Sequence, residues 1–80
     1  MFKDNAVFMD LNSIVILFRD VNGKRFHRVV ENVEVFHSYD WSWYDDENYE
    51  ILMVEWGRYC IYNALRDDAI NLEDLIGFFA

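Results

Sequence analysis

The sequence contains one cysteine, Cys60, and two histidines, His27 and His37, and this scarcity excludes two common kinds of site. A single cysteine cannot form an internal disulfide, and neither histidine lies at a zinc-ligand spacing from it. We therefore predict no metal or cofactor, and we expect Cys60 to be a buried free thiol. Without a disulfide framework, a secreted module of 80 residues is disfavoured, and a reducing cytoplasm is the expected setting.

Long apolar runs are also missing. The longest, residues 14–18, has five residues, whereas a helix needs about twenty to cross a bilayer. The first six residues contain no basic segment followed by an apolar one, so no secretory signal is predicted. A chain with a net charge of −8 would be repelled by an anionic membrane surface. We therefore expect no membrane association.

Motifs for catalysis are absent from the sequence. The three glycines, Gly23, Gly57 and Gly77, are isolated, so there is no phosphate-binding loop. The serines lie in no nucleophile motif, and the carboxylates match no calcium-loop pattern. A glycosidase-like pair of carboxylates would need a cleft, for which a chain of 80 residues offers little room. The sequence therefore predicts a protein that is not an enzyme.

Basic residues are few and unevenly distributed. Residues 1–30 carry five of them against three carboxylates, a net charge of +2, whereas residues 31–80 carry two against twelve, a net charge of −10. Because neutralisation of phosphates requires Lys and Arg, direct binding of nucleic acid by the second half is disfavoured. Such a surface suits a basic protein partner, although net charge also keeps a small hydrophobic protein in solution.

Aromatic residues, in contrast, are abundant. Phe, Trp and Tyr make up 19 % of the chain, and each can bury roughly 150–250 Å². Together with a hydrophobic content of 54 %, they predict a single folded domain over residues 1–80.

The clearest strand prediction is residues 13–20, an unbroken apolar run that we expect to be covered on both faces. The Asn22-Gly23 pair that follows predicts a hairpin with a type I′ turn. Residues 24–30 then alternate in polarity, and their charges predict a strand with one partly solvated side or a strand at an edge of the sheet.

Further strands are predicted on both sides of this hairpin. Residues 6–9 could form an edge strand, and residues 33–39, including a hydrogen-bonded His37, continue a period-two pattern. Residues 49–56 are a strong strand that ends near Gly57, which marks either a bulge or a tight hairpin. Residues 58–65 fit a strand or a helix.

The last element is a predicted helix. Asn71 is a good N-cap, and the apolar residues after it recur at helical spacing: Leu72, Leu75, Ile76 and Phe79. The predicted fold is α+β, a twisted antiparallel sheet of four to five strands with a short C-terminal helix packed on one face.

The most unusual segment is residues 39–50, YDWSWYDDENYE, which we call the acidic–aromatic segment. It contains two of the three tryptophans, three tyrosines, five carboxylates and no basic residue. Tryptophan and tyrosine are typical of interface hot spots, and carboxylates steer a basic partner toward its site. We therefore predict that the partner-binding residues are Asp40, Trp41, Trp43, Tyr44, Asp45, Asp46, Glu47 and Glu50.

Two interpretations of this segment remain open. On an extended backbone, alternate carboxylates such as Asp45 and Glu47 lie about 6.6 Å apart, similar to successive phosphates of a nucleic acid. Glu31 and Glu34 could form a second such pair across a bend. In the other interpretation, Trp41 and Trp43 pack onto the sheet and the carboxylates only solvate the loop.

In size and charge, the chain resembles phage-encoded inhibitors of host nucleic-acid enzymes, including DNA mimics and anti-CRISPR proteins. Immunity proteins and antitoxins are commonly as short and as acidic. The resemblance implies a non-enzymatic inhibitor that acts in the cytoplasm, that of the host if it is phage-encoded, by blocking a basic, nucleic-acid-binding protein. The alternative is a structural or assembly subunit that forms homodimers or larger oligomers through its aromatic, acidic surface.

Overall fold

The computed structural model describes residues 12–80, which form a four-stranded antiparallel sheet and two short helices. The strands are β1 (Ile14–Asp20), β2 (Arg25–Val30), β3 (Tyr49–Trp56) and β4 (Tyr59–Asn63), in the spatial order β2-β1-β3-β4. The helices are α1 (Val33–Ser38) and α2 (Leu72–Phe78). The predicted α+β class, with its antiparallel sheet and short C-terminal helix, is confirmed. The strand predicted at residues 6–9 lies outside the described residues.

The core lies on one face of the sheet. Ile14, Ile16 and Phe18 of β1 are fully buried, whereas the alternating Val15 and Leu17 are only half-buried. The buried side chains of α1 and α2 belong to the same core cluster as the first three. Within residues 12–80 both helices pack on this side, and the other face of β1 is half-buried.

The β1–β2 hairpin is confirmed, but its turn is not of type I′. Among residues 20–24 only Gly23 has a positive φ, +83°, and its N–H donates to the Asp20 carbonyl at 3.0 Å. The Asp20 carboxylate accepts from the N–H groups of Asn22 and Lys24, at 2.9 Å each. These bonds stabilise a three-residue loop that ends in a left-handed glycine, the next commonest class of hairpin. In the sheet formed by residues 12–80, β2 lies at an edge, one of the two alternatives expected for it.

Residues 33–38 form helix α1, so the prediction of a strand over residues 33–39 is wrong. The Asn32 side chain caps the helix by accepting from the Val35 N–H at 2.8 Å. Phe36 is fully buried and packs against the ring of Phe79 at 4.8 Å. Packing and the cap therefore outweigh the strand preference of the β-branched residues. His37 is hydrogen-bonded, but from this helix, with its Nε2 3.1 Å from the Phe79 carbonyl oxygen.

A tight turn joins β3 to β4. Gly57 has a φ of +61°, and Trp56 pairs directly with Tyr59, so the loop is the two residues Gly57 and Arg58. The ambiguous residues 58–65 are therefore mainly strand. Cys60 is exposed, which contradicts the expected buried thiol. The reason is its position on β4, the outer strand of the sheet.

Helix α2 follows the prediction closely. The Asn71 side chain accepts from the Asp74 N–H at 2.8 Å, and Leu75 and Phe79 of the apolar stripe are buried. Over residues 12–80, neither helix has the length and apolar character required to cross a membrane.

Candidate functional site

The acidic–aromatic segment connects α1 to β3, and its aromatic and acidic residues separate into two layers. The predicted aromatic residues Trp41, Trp43 and Tyr44 are half-buried and pack against the core. The five predicted carboxylates are all exposed: Asp40, Asp45, Asp46, Glu47 and Glu50. The segment therefore presents carboxylates to solvent on an aromatic base.

Phe18 is the centre of that base. Its ring centroid lies 5.3 Å from that of Trp43 and 5.5 Å from that of Tyr44, and Tyr44 stacks on Tyr49 at 5.8 Å. Aromatic pairs at these separations add stability beyond the area they bury. The base is therefore a packed layer, and the carboxylates above it are attached to a rigid support.

The two tryptophans have partners within the fold. The Trp41 Nε1–H donates to the Phe36 carbonyl oxygen at 3.1 Å. The Arg28 guanidinium carbon lies 5.1 Å from the centroid of the Trp43 ring, a cation–π contact. Both tryptophans thus stabilise the segment, and both are only partly exposed.

The backbone between Asp45 and Tyr49 is a turn. The Asp45 carbonyl accepts from the N–H groups of Asn48 and Tyr49, at 2.9 Å each, and its carboxylate accepts from the Glu47 N–H at 2.9 Å. The phosphate-like spacing requires an extended backbone, so that interpretation of Asp45 and Glu47 is wrong.

The second proposed phosphate-like pair is not on an extended backbone either. Glu31 lies at the bend after β2, and Glu34 lies in the first turn of α1. A mimic of a regular phosphate backbone is therefore not formed by these pairs.

Two of the predicted carboxylates shape the loop. Asp40 accepts from the Ser42 N–H at 3.0 Å, and hydrogen bonds from Ser42 lower the pKa of this carboxyl. Asp45 also accepts from the Asn48 side chain at 2.8 Å. Both carboxylates therefore stabilise the loop through hydrogen bonds within it.

The remaining three predicted carboxylates, with Asp20, border a cleft of about 530 Å³. We call it the acidic cleft; the exposed carboxylates on its rim are Asp46, Glu47 and Glu50. Its more buried lining includes Tyr44, Ile51, Tyr62 and Ile70. A single cation, Arg19, lies in the lining, where it forms an ion pair with Glu50. Four carboxylates against one guanidinium leave the lining with a net charge of −3.

Two tyrosines of the cleft lining, Tyr44 and Tyr62, remain protonated at neutral pH. Burial, followed by the negative charge of Asp46 and then Glu50, raises the pKa of Tyr44 well above its ordinary value. Burial also raises the pKa of Tyr62, with contributions from Glu50 and nearby aspartates. Both phenols therefore offer neutral hydroxyl groups inside an acidic lining.

The structure brings some of the predicted residues together and separates others. Tyr44, Asp46, Glu47 and Glu50 line the acidic cleft, whereas Asp40, Trp41, Trp43 and Asp45 lie outside its lining. Sequence reasoning missed Asp20, Tyr62 and Ile70, which come from other elements. The pairing of Asp20 with Tyr49 across β1 and β3 brings the first of these to the cleft.

Within residues 12–80, no group of three or more histidine, cysteine or acidic side chains is arranged to hold a metal ion. Comparison of the whole chain with protein-family models, curated proteins and solved structures found no match in any of the three.

Proposed function

We propose that this chain is a non-enzymatic binding protein whose acidic cleft and rim block a basic, nucleic-acid-binding protein or enzyme. The observation that carries the proposal is the net charge of −3 in the cleft lining, held on a packed aromatic base. A carboxylate rim attracts Lys and Arg, the residues with which a nucleic-acid-binding protein contacts phosphates. Occupying those residues excludes the nucleic acid.

The shape and chemistry of the cleft fit a long basic side chain. Lys and Arg have apolar stems that pack on apolar surface while the charged end stays near water and counter-charge. Ile51 and Ile70 offer that apolar surface, and Asp46 and Glu47 offer the counter-charge. One basic side chain of the partner would enter the cleft, and neighbouring ones would contact the rim.

The proposed compartment is the cytoplasm, that of the host if the chain is phage-encoded. Cys60 is a free and exposed thiol, and exposed thiols persist most readily where reductants keep them reduced.

The test begins with a charge reversal in the cleft. Asp46→Lys with Glu47→Lys changes two exposed carboxylates on the rim. Asp45 is left unchanged because its carboxylate accepts the Glu47 N–H and stabilises the turn. The matched control is Glu31→Lys with Glu73→Lys, which makes the same change in net charge at exposed positions outside the cleft.

The partner is captured from a lysate with the wild-type chain, identified and purified, and its affinity for nucleic acid is then measured. The wild type and the Glu31, Glu73 control should lower that affinity, more strongly at low salt because the contacts are ionic. The Asp46, Glu47 variant should not lower it. Equal inhibition by both variants, or no inhibition by the wild type, would contradict the proposed function.

A further inference from the structure

A second exposed surface lies at the other end of β3 from the acidic cleft. We call it the aromatic corner; it consists of Trp56, Arg58, Tyr59 and Phe78. Tyr59 is 69 % exposed and Phe78 is 55 % exposed, and they are the two aromatic residues among the exposed large hydrophobic side chains of residues 12–80. Exposed aromatic rings beside an arginine are the composition of an interaction surface.

The aromatic corner rests on the core. The Trp56 ring lies 5.2 Å from that of the buried Phe79 and 6.5 Å from that of Phe78, and Phe79 in turn contacts Phe36 at 4.8 Å. Trp56 and Tyr59 are cross-strand partners beside the two-residue turn, so they share a face of the sheet. The corner is therefore ordered before any partner arrives, which lowers the entropic cost of binding.

Charge identifies what the corner can bind. Its two segments, residues 56–61 and 76–80, contain a single charged side chain, Arg58, whereas the chain as a whole carries a net charge of −8. Two copies of so acidic a chain repel each other wherever carboxylates meet. The two segments of the aromatic corner bring no carboxylate side chain to such a contact, and Arg58 of each copy can lie against an aromatic ring of the other.

We propose that the aromatic corner is a two-fold contact between two copies of this chain. A specific contact of about 1,000 Å² in total would take about 500 Å² from each copy. That is less than a tenth of the 5718 Å² that each chain exposes. The contact uses none of the residues of the acidic cleft, so the dimer and the proposed inhibition can be tested separately.

Sedimentation velocity over a range from micromolar to near-millimolar protein tests the dimer. The wild type should rise from a mass of 9.7 kDa toward twice that value as the concentration increases. Tyr59→Ser should raise the dissociation constant about tenfold or more, since it removes a central aromatic contact. Leu65→Ser is the matched control, because Leu65 is 97 % exposed and lies beyond the opposite end of β4.

A charge variant provides an independent check that does not change an aromatic residue. Arg58→Glu would replace the guanidinium that lies against a ring of the other copy by a carboxylate, which the negative face of the ring repels, and should abolish the dimer. Lys24→Glu makes the same change in net charge at an exposed position in the β1–β2 hairpin and should leave the dimer unchanged. Circular dichroism confirms that each variant folds.

Two results would overturn the proposal. One is a wild-type mass of 9.7 kDa at every concentration, which would mean that the corner takes some other occupant. The other is a dimer whose dissociation constant responds equally to Tyr59→Ser and Leu65→Ser, which would place the contact elsewhere.

Discussion

The two ends of β3 are both rich in aromatic rings, but the rings are packed at one end and exposed at the other. At the Tyr49 end, the acidic–aromatic segment packs its rings on Phe18 and presents carboxylates to solvent. At the Trp56 end, Tyr59 and Phe78 remain exposed, and only one charged side chain accompanies them. The comparison shows that aromatic content alone does not identify a contact surface, because the rings at one end are mainly structural.

Charge separates the two ends as clearly as exposure does. The lining of the acidic cleft has a net charge of −3, whereas the aromatic corner carries the single positive charge of Arg58. The first surface is the one that we propose binds a basic partner, and the second is the one that we propose joins two copies of the chain. Each variant below changes a residue that belongs to one of the two ends.

The largest expected effect comes from removing the centre of the aromatic base. Phe18 is fully buried and contacts the rings of Trp43 and Tyr44, so Phe18→Ala should lower the free energy of unfolding by about 3–5 kcal/mol. Urea denaturation measures this loss. Val21→Ala is the control and should change stability by less than about 0.5 kcal/mol, because Val21 is 68 % exposed. A loss below about 1 kcal/mol for Phe18→Ala would mean that the base is not packed.

A smaller effect distinguishes the two kinds of aromatic residue. Trp41→Phe removes the hydrogen bond to the Phe36 carbonyl, which keeps a second donor, the Tyr39 N–H at 3.3 Å. The expected loss of unfolding free energy is therefore about 1 kcal/mol. Tyr59→Phe at the aromatic corner should cost less than about 0.5 kcal/mol, since Tyr59 is exposed. An equal loss of unfolding free energy in the two variants would mean that Trp41 stabilises the fold no more than the exposed Tyr59 does.

The smallest effect is absent at neutral pH and appears only in alkaline solution. Because burial raises the pKa of Tyr44, the folded state holds the phenolic proton more tightly than the unfolded state does. The resulting stabilisation is complete below about pH 10 and is lost as pH rises toward the folded-state pKa. Tyr44→Phe should therefore reduce the fall in unfolding free energy above pH 10.

Asp46→Asn refines this test. It should lower the pKa of Tyr44 only in part, because burial is the larger cause of the shift and the negative charge of Asp46 the smaller. The phenolate absorbance of Tyr44 reports this pKa; it is obtained as the difference between alkaline titrations of chains with and without Tyr44→Phe. A titration curve identical to that of the wild type would mean that Asp46 does not act on the phenol.

Much of the fold could be predicted from local sequence. The apolar run of β1, the Asn-Gly pair of the first hairpin and the Asn71 cap each depend on neighbouring residues, and the elements that they predict are present. Helix α1 could not be predicted in this way, because Val33 and Val35 alternate like strand residues. Its formation depends on the burial of Phe36 against residues distant in sequence.

The candidate site could be predicted only in part. The acidic–aromatic segment could be recognised by composition, but the other side of the cleft could not. Tyr62 and Ile70 reach the cleft through the order of the strands and the path of the chain after β4, which local patterns do not encode. The exposure of Cys60 depends in the same way on the edge position of β4.

A titration of the isotope-labelled chain with an oligo-arginine peptide tests most directly whether the acidic cleft binds basic side chains. The titration is followed residue by residue by NMR. If the acidic cleft is the binding surface, the amide shifts should concentrate at Asp46, Glu47, Tyr49 and Glu50 and should weaken as salt is added. Shifts spread evenly over all exposed carboxylates, with Glu31 and Glu73 responding as strongly as Glu47, would contradict the central claim.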